Sequence, residues 1–381
     1  MDVFEVRQTL TKGRSLFAKQ DIKAEEKIFE EEPIVSCQFS WNKVYDYKAC
    51  DFCMSPLETA EENAKRLSAD NSLELPFKSS CSVDPLQHVK CFQCGELFCS
   101  QICLDKANEL YHSYICIPID SDHPLKTLED AWKNMHYPPE TCSINLLVRI
   151  LAIIKSSKSR ETLVQDLQNF ASSLENKNDR IAHKMLGDKF AQQLESLYLL
   201  LLDAVGHDKS DLEQFLTPEG FRSLFAIIAT NAQGIGTSSF ANWVKAVEHL
   251  DLDDDKKAHL DKIIDDVYEK MDKYVGTFLN CEGSGLYKLQ STINHSCVPN
   301  AQITFPFGNH KLVLESIRDI KKGEEICISY VDECVLNSSR YTRQRILSEN
   351  YIFICTCEKC ELQAGDPDVT SEEESDEDVS M

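Results

Sequence analysis

Apolar and polar positions change rhythm three times along this chain. Near the N-terminus they alternate, in Val3-Phe4-Glu5-Val6, in 12–18 and in Glu26-Lys27-Ile28-Phe29 before the turn at Pro33, which predicts short strands. From about residue 125 to 278 the spacing lengthens to three and four. Ile263, Ile264, Val267, Met271, Tyr274, Val275 and Phe278 would share one face of a helix buried along that face. Alternation returns at 286–289, 311–314 and 325–330. Between the two regimes, in 50–116, cysteines take the place of large apolar residues. The last sixteen residues carry one Pro and no aromatic, which predicts a disordered tail. Strands at both ends close into one fold only if early and late strands meet across a long insertion. The expected class is α+β, with a small metal-bound subdomain set into it.

Composition narrows the function. With 381 residues and 42% hydrophobic side chains the chain can bury a large core. The first twenty residues hold no apolar run of the secretory kind, and the longest apolar stretch, near 197–202, is too short for a bilayer, so no membrane partner is expected. Net charge is −23, and although eight acidic residues lie in 366–381 the rest remains strongly acidic. Such a body repels phosphate backbones, so no direct nucleic acid contact is expected, and it attracts Lys-rich and Arg-rich peptides.

Seventeen cysteines without a secretory signal read as metal ligands rather than disulfides. Cys50 and Cys53 form one C-x2-C pair and Cys91 and Cys94 another, and Cys99, Cys103, His112 and Cys116 follow. Eight ligands fill two tetrahedral zinc sites, with Cys81, inside the long gap, as a competitor. A RING-type finger fits less well, because its Cys-x-His pair and final C-x2-C are missing. Further on, Cys355, Cys357 and Cys360 supply three thiolates and require a fourth ligand from a distant segment. The remaining cysteines, at 37, 81, 142, 281, 327 and 334, are expected to be small buried hydrophobes.

Asn294-His295-Ser296-Cys297-Val298-Pro299-Asn300, the segment 323–330 ending in Tyr330, and the terminal cysteines lie in that order within seventy residues. Together with 13–18 they resemble a SET-domain lysine methyltransferase with a post-SET zinc. The spacing from Cys91 to Cys116 resembles a MYND finger. The whole of residues 3–361 is thus similar to the SET and MYND domain-containing family, without the helical C-terminal repeat domain of most members. The resemblance implies domains at 1–49 and 281–344 (the two parts of the SET domain), 50–116 (the finger), 117–280 (a helical insertion) and 345–361 (the post-SET segment), with a tail at 362–381. It implies interleaved finger ligands, Cys50, Cys53, Cys99 and Cys103 on one ion and Cys91, Cys94, His112 and Cys116 on the other. It makes Cys297 the fourth ligand of the third ion and threads the end of the chain as a pseudo-knot.

The same resemblance implies S-adenosyl-L-methionine as cofactor, met by Lys12, Gly13, Arg14 and Leu16, by Asn231, Ser291, Asn294 and His295, and by Tyr330, Tyr351 and Phe353. Tyr330 would be the catalytic phenol. A Lys-rich protein substrate, histone or non-histone, a peptide partner for the finger, a monomeric state, and a cytoplasmic and nuclear location are the further expectations. Gly234-Ile235-Gly236 is no dinucleotide fingerprint, for want of a third glycine. The rival from another class is a zinc-finger scaffold whose SET fold is catalytically silent.

Overall fold

The computed structural model describes residues 2–135, 143–158, 160–170, 180–205 and 210–367. Cys142 and the tail from 368 onward therefore lie outside the described residues. Twelve strands occur among those described: β1 Phe4–Thr9, β2 Gly13–Ala18, β3 Lys27–Glu31, β4 Val35–Gln38, β5 Val89–Lys90, β6 Leu97–Phe98, β7 Gln233–Thr237, β8 Cys281–Leu286, β9 Asn294–His295, β10 Ala301–Thr304, β11 Leu312–Ser316 and β12 Glu325–Ile328. They form sheets ordered β1-β2-β12-β9, β10-β11-β3, β4-β8-β7 and β5-β6.

Each of the larger sheets joins an N-terminal strand to a late one. β12 runs antiparallel to β2, with Leu16 opposite Ile326, and parallel to β9. β11 pairs with β3 and β8 with β4. Alternation explains the choice of face: Leu16, Ala18, Phe29, Leu312, Leu314, Ile326 and Ile328 all turn inward to one core. Fully burying each large apolar side chain contributes about 1.5–3 kcal/mol. That driving force closes the chain across more than two hundred intervening residues.

The insertion is mostly helical, as its spacing predicts, but it contains one strand that the spacing hid. β7 has glycines at 234 and 236 and so shows no alternation of side chains. It becomes a strand because β8 offers it a partner, with Gly236 opposite Glu282. The alternation at 286–289 is likewise displaced: β8 stops at Leu286, and a 3-10 turn over Gln290–Thr292 follows. The helix Asp254–Val275 starts at Asp253, whose carboxylate accepts the Lys256 N–H, and ends at Gly276. It buries Leu260, Ile264, Val267 and Met271, while Tyr274 is exposed.

The 37-residue gap between Cys53 and Cys91 is filled in part by the helix Ala60–Ser68, closed by a capping box at Thr59 and Glu62. Its Ala60, Ala64 and Leu67 share a core with the long helix. The cysteine-rich segment does not stand alone either. Arg149, buried on the helix Ile144–Ser156, donates to Asp51 Oδ1 and, at 2.7 Å, to Asp51 O, and its guanidinium lies 4.4 Å over the Tyr111 ring. No described helix is long and apolar enough to cross a membrane.

Candidate active site and metal centres

Three groups of ligand atoms come together, each with all its atoms within 4.8 Å of one another: Cys50, Cys53, Cys99 and Cys103; Cys91, Cys94, His112 and Cys116; and Cys297, Cys355, Cys357 and Cys360. Individual separations include Cys53 to Cys99 at 3.6 Å, Cys91 to Cys116 at 3.7 Å and Cys297 to Cys360 at 3.6 Å. A tetrahedral zinc with Zn–S bonds of about 2.3 Å has edges of about 3.8 Å, so these donor sets fit zinc in number, type and spacing. Cys81 belongs to none of them; its Sγ accepts the Ala60 N–H at 3.3 Å. Of the other cysteines, 37, 281 and 327 are buried as expected. Cys81 is half-buried and Cys334 exposed, the latter because the short helix Glu333–Leu336 turns it to solvent.

The third group is fastened to the helix that precedes its last three cysteines. Gln344, on the helix Arg340–Tyr351, takes the Cys355 N–H at 2.8 Å and donates to the Cys355 carbonyl at 2.6 Å. Arg343 is fully buried, with Nη2 3.6 Å from Cys360 Sγ. Four thiolates around a divalent ion leave a net charge of roughly −2, and this guanidinium offsets part of it.

Around Cys297 the chain builds an aromatic corner. Pairing of β9 with β12 sets His295 beside Ile328. The chain then turns, and the Tyr330 N–H donates to His295 Nδ1 at 2.9 Å. That bond leaves the imidazole proton on Nε2, which faces Cys297 Sγ at 3.4 Å. Burial pulls His295 down to about 4, so the ring is neutral. Tyr330 stands two residues beyond the end of β12 rather than on it. Its hydroxyl donates to the Ile293 carbonyl at 2.6 Å, and burial raises its pKa, keeping the phenol protonated. Tyr351 donates to the Tyr330 carbonyl at 3.0 Å. Ring centroids lie 4.9 Å apart for Tyr330 and Tyr351, 6.2 Å for Tyr330 and Phe353, and 6.0 Å for His295 and Phe353.

This corner is one wall of a cleft of about 1150 Å³. Lys12, Gly13, Arg14, Asn231, Ser291, Asn294, His295, Tyr330, Tyr351 and Phe353 all line it. Leu16 does not. Strand alternation drives its side chain, fully buried, into the core. Gly13 adopts φ +71°, which only glycine takes freely, and so turns Lys12 and Arg14 to the cleft. Asn294 ties this turn to β9: its Nδ2 donates to Ser15 Oγ at 2.7 Å, Glu325 Oε1 at 2.9 Å and Arg14 O at 3.2 Å. Burial works against the charge on Lys12, but a 2.7 Å bond to Glu325 more than restores it and raises its pKa. Asn231 is buried and donates to Ile227 O at 2.8 Å. Ser291 donates to Lys288 O at 3.0 Å.

The sequence motifs did not single out Phe39, Phe170, Gln233, Glu282 or Gln290, which also line the cleft. Burial pushes the Glu282 carboxyl up, and it has no side-chain partner among the described residues. A glycine-rich stretch such as 234–236 signals close backbone approach, and with Asn231 beside it was the sequence clue to this wall.

The SET domain model matches residues 13–331. Protein-lysine N-trimethyltransferase SMYD5 of Gallus gallus is 50% identical over 96% of this chain and 87% of its own length. The SMYD5 of Homo sapiens is 47% identical over 95% and 87%. Histone-lysine N-methyltransferase ATXR2 of Arabidopsis thaliana is 23% identical over 93% and 89%. Among solved structures, the SET domain of LSMT bound to lysine and AdoHcy overlaps 93% of this chain and 53% of that one, at 12% identity and a TM-score of 0.34, a likeness too slight to bear on the site. A SET match over most of the chain, identity near one half to relatives of similar length, and a cleft that gathers the family's motif residues place this chain among the SET-domain protein-lysine methyltransferases, as a member of the SMYD family.

Proposed function

We propose that the chain transfers a methyl group from S-adenosyl-L-methionine to the ε-amine of lysine in basic proteins, with Tyr330 as the residue that orients the amine. The observation that carries this is the Tyr330 hydroxyl. Its hydrogen is committed to Ile293 O, so its oxygen lone pairs remain to accept an N–H from an incoming amine. Lys12, Gly13, Arg14, Asn231, Ser291, Asn294 and His295 would hold the donor. Tyr351 and Phe353 would flank the sulfonium, where ring faces favour cationic charge by about 1 kcal/mol. Zinc at the three cysteine-containing groups would fix the finger and the post-SET segment.

The reaction requires a neutral amine, and neutralising a free lysine at pH 7 costs roughly 4–5 kcal/mol. Burial among aromatic rings and the nearby sulfonium both disfavour the ammonium, so no dedicated base is needed. Alignment of nitrogen, methyl and sulfur then supplies much of the rate. Basic substrates suit the acidic body and Glu282 in the cleft wall, which has no side-chain partner among the described residues. The relatives' names add histones and the trimethylated product as the first candidates.

The test is incubation with isotope-labelled donor and core histones or fractionated cell extract, followed by mass spectrometry. Label on lysine that disappears in Tyr330→Phe, while donor binding persists, supports the proposal. Measured donor binding with no transfer in any fraction would favour a scaffold. A cytoplasmic and nuclear location is proposed alongside, to be checked by imaging the tagged full chain.

A further inference from the structure

Among the described residues lining the cleft, Gln290 alone carries a buried polar atom without a hydrogen-bond partner, its Oε1. The residue is only 7% exposed, and the other polar groups of its turn are held. Glu31 accepts the Leu289 N–H at 2.7 Å and the Gln290 N–H at 2.9 Å. The Ile293 N–H closes the turn onto Gln290 O at 3.0 Å. Gln290 Nε2 donates to Gln233 Oε1 at 3.2 Å. Gln233 must present its oxygen there, because its own Nε2 donates to Gly234 O at 3.1 Å. Turning the Gln290 amide over would set two oxygens face to face. The orphan acceptor is therefore fixed by its neighbours, and an orphan kept out of water is costly unless a ligand completes it.

Its position says which ligand. The turn that begins at Gln290 ends at Ile293, whose carbonyl takes the Tyr330 hydrogen. The amide and the phenol are thus anchored to the two ends of one turn. We infer that Gln290 Oε1 is a second acceptor for the target amine, an inference that rests on the methyl transfer proposed above. A neutral primary amine has two N–H bonds and one lone pair. Tyr330 Oη accepts one N–H and Gln290 Oε1 the other, which leaves the lone pair aimed at the methyl group. The N–C bond forms as the C–S bond breaks with its electron pair passing to sulfur. The sulfonium becomes a neutral thioether, and the new ammonium gives its proton to water before another round.

Each methyl added removes one N–H. Gln290 therefore matters most for the first transfer, less for the second, and not for the third. The experiment uses recombinant unmethylated core histones, labelled S-adenosyl-L-methionine and mass spectrometry that separates mono-, di- and trimethyl-lysine. In Gln290→Leu the first transfer falls roughly tenfold. Later transfers stay within about twofold of the parent, so monomethyl product does not accumulate. Gln290→Asn keeps the amide but draws its oxygen back by one methylene, so the first transfer falls there too while the later ones hold. Zinc content and S-adenosylhomocysteine binding establish that each variant is folded.

An unchanged first transfer in Gln290→Leu, or an equal fall of every step in both variants, overturns the inference. An active parent with unaffected variants overturns this inference alone. A parent that binds donor but transfers nothing overturns the function with it.

Discussion

Tyr330 gives its hydroxyl hydrogen to Ile293, which leaves the oxygen lone pairs free to accept. Removing the oxygen in Tyr330→Phe leaves the Ile293 carbonyl unpaired at a cost of about 1–3 kcal/mol, which a chain of this size tolerates. We expect turnover to fall roughly a hundredfold with zinc content unchanged, measured by label transfer and metal analysis. Arg343 acts at the same scale on the metal. Arg343→Met keeps most of the volume and removes the charge beside Cys297 and Cys360. Zinc affinity at that group should drop by about tenfold or more, read by chelator competition, while the two finger groups hold. Eleven of the metal ligands could be named from the sequence because cysteine is rare and their spacing short, while Cys297 and Tyr330 were named through the family resemblance. Glu31, Gln290 and Arg343 could not. Nothing local marks a glutamate as the clasp of a turn 258 residues away, or an arginine as a counter-charge to sulfur.

At the scale of elements, the post-SET helix shows how a strained position builds a site. Arg340–Tyr351 ends in Ile352 at φ +60°, a conformation that β-branched residues avoid, and the reversal carries Phe353 back beside His295. Such strain costs on the order of 1–3 kcal/mol. Ile352→Gly should therefore stabilise the fold by about 1 kcal/mol, read as a higher denaturation midpoint without a change in slope. A midpoint that falls would show that Ile352 contributes more by packing than it loses in its backbone. β7 is the opposite case. Its glycines erase the strand signal in the sequence, and only the free edge of β8 reveals it. The helix Ala60–Ser68 in turn accounts for the long interval before Cys91: the interval is an element with its own core contacts rather than slack.

For the whole molecule, charge and zinc set the conditions of action. A body this acidic attracts basic chains over distances that salt shortens, with a screening length of about 10 Å at 0.1 M. The KM for histones should rise several-fold between about 50 and 300 mM salt, with kcat nearly constant, as a salt series of initial rates will show. Charge reversal at Glu282, as Glu282→Lys, should weaken basic substrates further and leave donor binding intact. Metal analysis should find three zinc ions per chain. Chelation should abolish transfer as the group at Cys297 empties, because the rings of Tyr351 and Phe353 lie on the segment that group holds.

Residue types and their spacing carried the available chemistry: eleven clustered metal ligands in want of a twelfth, an acidic composition, and alternating strands that had to pair across a helical insertion, with Cys297 and the role of Tyr330 added by the family resemblance. These are short-range facts, written in residue type and spacing. Which side chains face the cleft depends instead on long-range packing. Leu16 left it for the core, while Gln233, Glu282 and Gln290 entered it. The physical reason is that a strand's two faces look alike to its neighbours in sequence. Which one meets solvent, ligand or core depends on partners hundreds of residues away, whose burial outweighs any local preference.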